Sequence, residues 1–145
     1  MPGTGPAVVQ TGALRALALV CYEAVFPQNA GSVDQRPDYL LQITNDAWFG
    51  TYAGPQQHLA QARMRAIEQG LPLVRSANTG ISAIIDAAGG IRAQLPLGQH
   101  GFVDAPLPGA LPPTLYSRTG DLPVSILIFL GVGLTVLRGR RQIID

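Results

Sequence analysis

Residues 20–27 read VCYEAVFP and hold the chain's one cysteine, Cys21, two positions before Glu23. A thiolate is a competent nucleophile toward a carbonyl carbon, so Cys21 is the first candidate for covalent chemistry. A carboxylate neighbour raises a thiol's pKa, so Glu23 does not itself activate the sulfur. Activation needs a cation or a base. All ten basic residues are arginine, the chain has no lysine, and Glu23 and Glu68 are its two glutamates. The other reading of Cys21 is a small buried apolar residue, which is what most free cysteines are. One cysteine excludes a cysteine-based zinc site, and His58 and His100 are too far apart in sequence to suggest a ligand pair. A formal charge of +1 gives no electrostatic footprint for nucleic acid.

The elements that must position the sulfur follow from pattern. With 145 residues and 47% apolar content, the chain is long enough for one domain with a modest core. The Gly/Pro-rich start, MPGTGPAVVQ, carries no positive charge and is not a signal peptide. LRALALVC, residues 14–21, reads as a buried strand with Cys21 at its carboxyl end. PQNAGSVDQRPD is expected to be a loop, and YLLQIT, residues 39–44, a second buried strand. The loop NDAWFGTYAGP leads to Pro55, which suits the first helical position. Leu59, Ala62, Ala66 and Ile67 then share a face, and Gly70 is a natural stop. LPLVRSA is a further strand, and ISAIIDAAGGIRAQL two strands joined by Ala-Ala-Gly-Gly. Residues 98–121 are Pro/Gly-rich, with a short strand expected at 101–105.

Residues 122–137, LPVSILIFLGVGLTVL, contain no charge and end on Arg138. Sixteen helical residues reach roughly 24 Å against about 30 Å of hydrocarbon, and an arginine can snorkel to make up the difference. A transmembrane helix is expected, with a buried core helix as the alternative. Basic residues prefer the cytoplasmic side, which places the preceding domain outside and requires an upstream segment to carry it there. The chain is therefore expected to be the C-terminal part of a longer membrane protein.

CYEAVFP, RPDYLLQITNDAWFG, GPQQHLAQARMRAIEQGLPLVRSANTGISAIID and LYSRTGDLP occur in this order. On these blocks the sequence resembles the apolipoprotein N-acyltransferases, a family of the nitrilase (carbon-nitrogen hydrolase) superfamily. The resemblance implies an α/β fold: the C-terminal half of an α-β-β-α sandwich followed by one transmembrane helix. It implies a partial nitrilase-like domain over 1–121, the helix over 122–138 and a basic cytoplasmic tail over 139–145. The implied setting is the bacterial inner membrane with the domain on the periplasmic side. The implied partners are a phospholipid acyl donor, an apolipoprotein acceptor and the missing N-terminal portion of the same enzyme. No cofactor is implied.

By the same resemblance Cys21 is the nucleophile, taking an acyl chain as a thioester and passing it to the amino group of a diacylglyceryl-cysteine. Such sites pair the cysteine with a glutamate base and a lysine, which the family carries upstream of the cysteine block. Neither occurs in the twenty residues before Cys21, so the chain alone is expected to be inactive. Glu23 matches a supporting glutamate that orients the lysine or a substrate group; its bland alternative is a loop carboxylate. The Tyr22 backbone N–H is placed to donate to the oxyanion. Asn45, Asp46, Trp48 and Phe49 form a loop at a strand end, where Trp48 and Phe49 either contact acyl chains or cap the core. Asn78 and Thr79 are weaker candidates. Arg63, Arg65 and Arg75 are expected to bridge carboxylates, and His58 to cap or pack. Two other readings stay open: a nitrilase-type amidase acting on C–N bonds, and a catalytically dead, membrane-tethered module.

Overall fold

A computed structural model describes residues 5–31, 33 and 35–144, with side chains through residue 138. Its centre is one six-stranded sheet in chain order: β1 (Ala7–Thr11), β2 (Leu14–Val20), β3 (Tyr39–Asn45), β4 (Leu73–Asn78), β5 (Ser82–Ile85) and β6 (Ile91–Leu95). β2, β3 and β4 run parallel, and the other neighbours are antiparallel. Parallel neighbours need crossovers. These carry α1 (Pro27–Gly31) between β2 and β3, and α2 (Gly54–Gln69) between β3 and β4. Both crossovers step across the sheet in the same direction, so the right-handed rule sends both helices to one face.

That face is the core. Leu17 and Leu19 of β2, Leu40 of β3, Leu73 of β4, and Ala83 and Ile85 of β5 pack against Ala30, Leu59, Ala62 and Ala66 of the helices. Alternation in β2 through β4 aligns Leu17 with Leu40 and Leu40 with Leu73 across the strands. The same register brings Leu19, Gln42 and Arg75 to the covered side. The opposite face is largely open. Val20 and Ile43 are register partners there and are 58% and 54% exposed.

Helix α2 begins with Pro55 in its first turn and ends at Gly70, which adopts φ +62° and donates to Ala66 and Ile67, as the sequence indicates. The β5–β6 hairpin also forms as read. Its turn is organised by Asp86, whose Oδ1 accepts from the N–H groups of Ala88 (2.9 Å) and Gly90 (2.7 Å). Arg92 pairs with Oδ2 at 2.6 Å. The Gly90 N–H is the largest influence holding the Asp86 carboxyl below the usual carboxylate range; Ala88 and Arg92 add to it and burial opposes it.

Four expectations change. The Gly/Pro-rich start contributes β1, because Gly12 takes φ +65° and folds the chain back onto β2. The loop after Phe26 contains α1, with Pro27 as its first residue. Among the described residues no strand forms at 101–105; that stretch runs irregularly toward prolines 106 and 108, which lack N–H donors. Finally, α3 (Leu115–Thr119) precedes α4 (Leu122–Ile144). Among the described residues no helix is long and apolar enough to cross a membrane. The transmembrane helix expected over 122–138 is thus not supported: α4 continues to Ile144, but its uncharged run meets Arg138 after sixteen residues. Its side chains are exposed, Phe129 by 76% and Leu127 by 68%.

Two outcomes follow from this fold. Residues 5–121 on their own should self-associate through the open sheet face, and Ile43→Lys should shift their size-exclusion profile toward monomer. Asp86→Ala should lower the melting temperature at neutral pH. A carboxylate whose folded pKa is depressed adds stability above its ordinary value near 3.8 and loses it as pH falls through the folded value. The deficit of the variant should therefore shrink in melts below that pH.

Candidate active site

The carboxyl ends of the parallel strands form one edge. Cys21 follows β2, Asn45 and Asp46 end β3, and Asn78 and Thr79 end β4. Such edges are where open α/β sheets bind ligands. Cys21 is partly exposed and begins a 3₁₀ turn over Cys21–Val25. Its φ is +54°, a left-handed conformation that costs an L-residue about 1–2 kcal/mol. The same sharp strand-to-helix geometry lifts nucleophiles clear of the sheet in other hydrolytic folds. A helical first turn leaves its N–H groups without intrahelical acceptors, and the Tyr22 N–H is one of these.

Glu23 bends back to accept the Val20 N–H at 2.7 Å, and its carbonyl accepts from Phe26 N–H and Asn29 Nδ2, both at 3.2 Å. One of its oxygens is thus used to shape the turn. The Tyr22 ring packs edge-on to Phe26, with centroids 5.9 Å apart, and lies near Phe49 and His58. Phe49 also stacks edge-on to His58 at 5.1 Å, so it caps the interior. Trp48, from the same loop, is 84% exposed. The two aromatic residues grouped by the sequence reading therefore separate, one to the core and one to the surface. Asn45 Oδ1 accepts from Ala47 N–H at 3.2 Å and from Asn78 Nδ2 at 3.1 Å, joining β3 to β4 at the edge. Thr79 adopts φ +63° beside them.

Beneath the turn lies a polar cluster that the sequence reading did not assemble. Gln42, Asp46, His58 and Arg75 are all buried. Arg75 donates from Nη2 to Asp46 Oδ2 and from Nη1 to Gln42 Oε1, each at 2.5 Å. Its Nε donates to the Ile81 carbonyl at 3.1 Å. Burial pushes the guanidinium below its ordinary value, while the charge and hydrogen bond of Asp46 pull it back up. His58 Nδ1 lies 2.9 Å from Asp46 Oδ1, and its Nε2 lies 3.1 Å from Gln42 Nε2. Thr44 Oγ1 donates to the same Asp46 oxygen at 3.2 Å. Gln42 Nε2 also donates to the Cys21 carbonyl oxygen at 3.2 Å. Gly80 is required here, since a Cβ would sit 2.4 Å from Asp46 Oδ2. The signal available in sequence was a polar residue at an inward strand position, Gln42 in YLLQIT and Arg75 in LPLVRSA, because buried polar groups need partners.

The other arginines divide. Arg65 pairs with Glu68 at 2.7 Å and donates to the Val25 carbonyl at 3.1 Å, which ties α2 to the end of the Cys21–Val25 turn. Burial raises the Glu68 carboxyl, against the lowering influence of Arg65. Among the described residues Arg63 bridges no carboxylate: its Nε donates to the Gly89 carbonyl at 2.8 Å, because it faces the β5–β6 turn. Arg15 is structural, pairing with Asp38 at 3.6 Å. Among the described residues no cluster of His, Cys, Asp and Glu could hold a metal ion.

The carbon-nitrogen hydrolase family profile matches residues 1–111. The apolipoprotein N-acyltransferase of Bradyrhizobium diazoefficiens is 56% identical over 132 residues, covering 91% of this chain and 25% of the relative. That of Rhodopseudomonas palustris is 55% identical over 124 residues, covering 86% and 23%. The chain thus spans about a quarter of the length of the curated relatives it matches. Among solved structures, an amidase mutant from Nesterenkonia sp. AN1, with acrylamide added to its active-site cysteine, superposes with TM-score 0.55 at 25% identity. The match covers 67% of this chain and 41% of that one. A CN-hydrolase superfamily protein from Xanthomonas campestris gives TM-score 0.57 at 20% identity, over 69% and 43%, and bears on the fold alone.

Removing one side of the buried ion pair should be severe. Arg75→Met leaves the Asp46 carboxylate buried without its guanidinium counter-charge, held by His58 and Thr44 alone, and should cost about 3–5 kcal/mol in urea unfolding. The double variant Arg75→Met with Asp46→Leu should recover part of that loss.

Proposed function

Because the chain belongs to the carbon-nitrogen hydrolase family, we propose that it is the nucleophile-bearing part of an apolipoprotein N-acyltransferase. The observation that carries this reading is the strained turn at Cys21, set on the strand-end edge, in a sequence more than half identical to enzymes of that name.

In this reading the Cys21 thiolate attacks the ester carbonyl of a phospholipid. The carbonyl π electrons move onto oxygen, where the Tyr22 N–H receives them. Collapse of the adduct expels the lysophospholipid alkoxide, which takes up a proton, and leaves an acyl thioester on the sulfur. The α-amino group of a diacylglyceryl-cysteine then attacks that thioester. An amide forms, the amine loses its proton, and the thiolate is released. The general base and the cation that favours thiolate come from a glutamate and a lysine on polypeptide outside these 145 residues, since the chain has no lysine. Glu23 supports the turn and faces that added polypeptide. Trp48, exposed at the edge, is the acyl-contacting residue, with Asn45 and Asn78 lining the same edge and Phe49 forming its inner wall.

Helix α4 is the proposed lipid-facing element. Its apolar side chains are exposed, and Arg138 can snorkel toward a headgroup layer where the helix falls short. The domain would lie on the periplasmic side of a bacterial inner membrane, with α4 against its lipid. The cysteine adduct of the Nesterenkonia amidase supports a second reading, a nitrilase-type amidase, because the same turn would serve attack on a C–N bond.

Tests separate the two. In the complete enzyme carrying this sequence, incubation with phospholipid should yield a hydroxylamine-sensitive acyl adduct at Cys21, and Cys21→Ala should abolish it. Ammonia release from short amides without any acyl adduct would favour the amidase. Purified alone, the chain should react with iodoacetamide at the rate of an ordinary thiol at neutral pH; labelling many times faster would contradict the need for an external cation.

A further inference from the structure

The donors and acceptors under Cys21 match in one arrangement, which leaves Arg75 Nη2 and His58 Nδ1, 3.2 Å apart, as two donors sharing the Asp46 carboxylate. Arg75 Nη1 can only donate, so the Gln42 atom 2.5 Å away is its carbonyl oxygen. The Gln42 NH₂ therefore faces the other way. Its two hydrogens go to the Cys21 carbonyl oxygen at 3.2 Å and to His58 Nε2 at 3.1 Å. His58 accepts at Nε2, so it carries its hydrogen on Nδ1 and gives it to Asp46 Oδ1 at 2.9 Å. Asp46 Oδ2 closes the circuit on Arg75 Nη2 at 2.5 Å. This closed ring spans β3, β4 and α2, and its outlet to the nucleophile is the Cys21 carbonyl.

That carbonyl belongs to the peptide plane whose other side is the Tyr22 N–H. In a trans peptide the two point in opposite directions. A hydrogen bond that draws the oxygen inward turns the N–H outward. We propose that Gln42 is a positioning residue that sets the Cys21–Tyr22 peptide plane, holding Cys21 at positive φ and aiming the Tyr22 N–H at the oxyanion. The inference rests on the reading of Cys21 as the nucleophile. Gln42 touches no substrate; it acts through one rigid plane. Arg75, Asp46 and His58 fix its amide so that it cannot flip.

The test uses the full chain in detergent with carbonyl-¹³C cysteine and ¹⁵N tyrosine. One cysteine precedes one tyrosine, so a carbonyl–amide correlation contains a single peak, from Cys21 and Tyr22. Gln42→Glu keeps an oxygen for Arg75 but offers Cys21 a second oxygen in place of a hydrogen. The variant should stay folded while the Cys21 carbonyl resonance moves upfield and the Tyr22 amide shifts with it. In the complete enzyme, kcat for thioester formation should fall on the order of 10²-fold, with KM for phospholipid unchanged, as for loss of one oxyanion donor. An unmoved peak, or an unchanged kcat in a folded variant, overturns the proposal. Should Gln42→Glu fail to fold, Gln42→Asn poses the same question, since its shorter amide cannot reach both Arg75 and Cys21. If neither variant folds, Gln42 is a folding residue and the proposal is wrong. A wild-type enzyme that forms no thioester would sink the acyl-transfer reading instead, and the peak would still decide the role of Gln42.

Discussion

A guanidinium buried under a sheet imposes demands that few arrangements satisfy. Arg75 must find a counter-charge and an acceptor for each N–H it brings out of water. It finds a counter-charge and two further acceptors on separate elements: Asp46 after β3, Gln42 within β3, and the Ile81 carbonyl beyond the end of β4. Buried ion pairs add little net stability compared with apolar packing of similar volume, so the value of this one lies in selectivity. A shift of β3 against β4, or of α2 along the sheet, would strand a charge. The bare Cα of Gly80 belongs to the same requirement, because any side chain there would occupy the place of the carboxylate.

From that anchor the reactive edge is built outward. Each polar group spends its valences on the next, from Arg75 to Gln42 to the backbone of Cys21. Glu23 acts from the other side by taking the Val20 N–H. The left-handed turn is held between these two contacts and the rings of Tyr22, Phe26 and Phe49. The placement of Cys21 thus rests on backbone contacts made within these residues.

What was legible in the sequence was local. Pro55 and Gly70 bracket α2, Ala-Ala-Gly-Gly turns the last hairpin, and Cys21 ends an apolar run; each signal lies within a few residues of what it controls. β1 was hidden because its strand residues sit among glycines and prolines, and its pairing depends on the turn at Gly12. The cluster was hidden for a different reason. Gln42 and Arg75 are 33 residues apart, and nothing local says that they meet. Trp48 and Phe49 look equivalent as neighbours, yet the end of β3 and the start of α2 send one outward and the other onto His58. The terminal apolar run was already short of a membrane's thickness in the sequence, and its sixteen residues before Arg138 are what leaves it unsupported as a span.

The sheet's strand order repeats the order of the chain, β1 through β6. During synthesis each new strand emerges to find its partner already made, so the sheet can grow by accretion from the ribosome outward without waiting for a distant segment. The turn at Cys21 precedes β3, α2 and β4 in the chain but acquires its internal support only after they have followed. A nascent peptide there is therefore left unoriented until those elements have been made, and is set only once the surrounding protein exists to govern it.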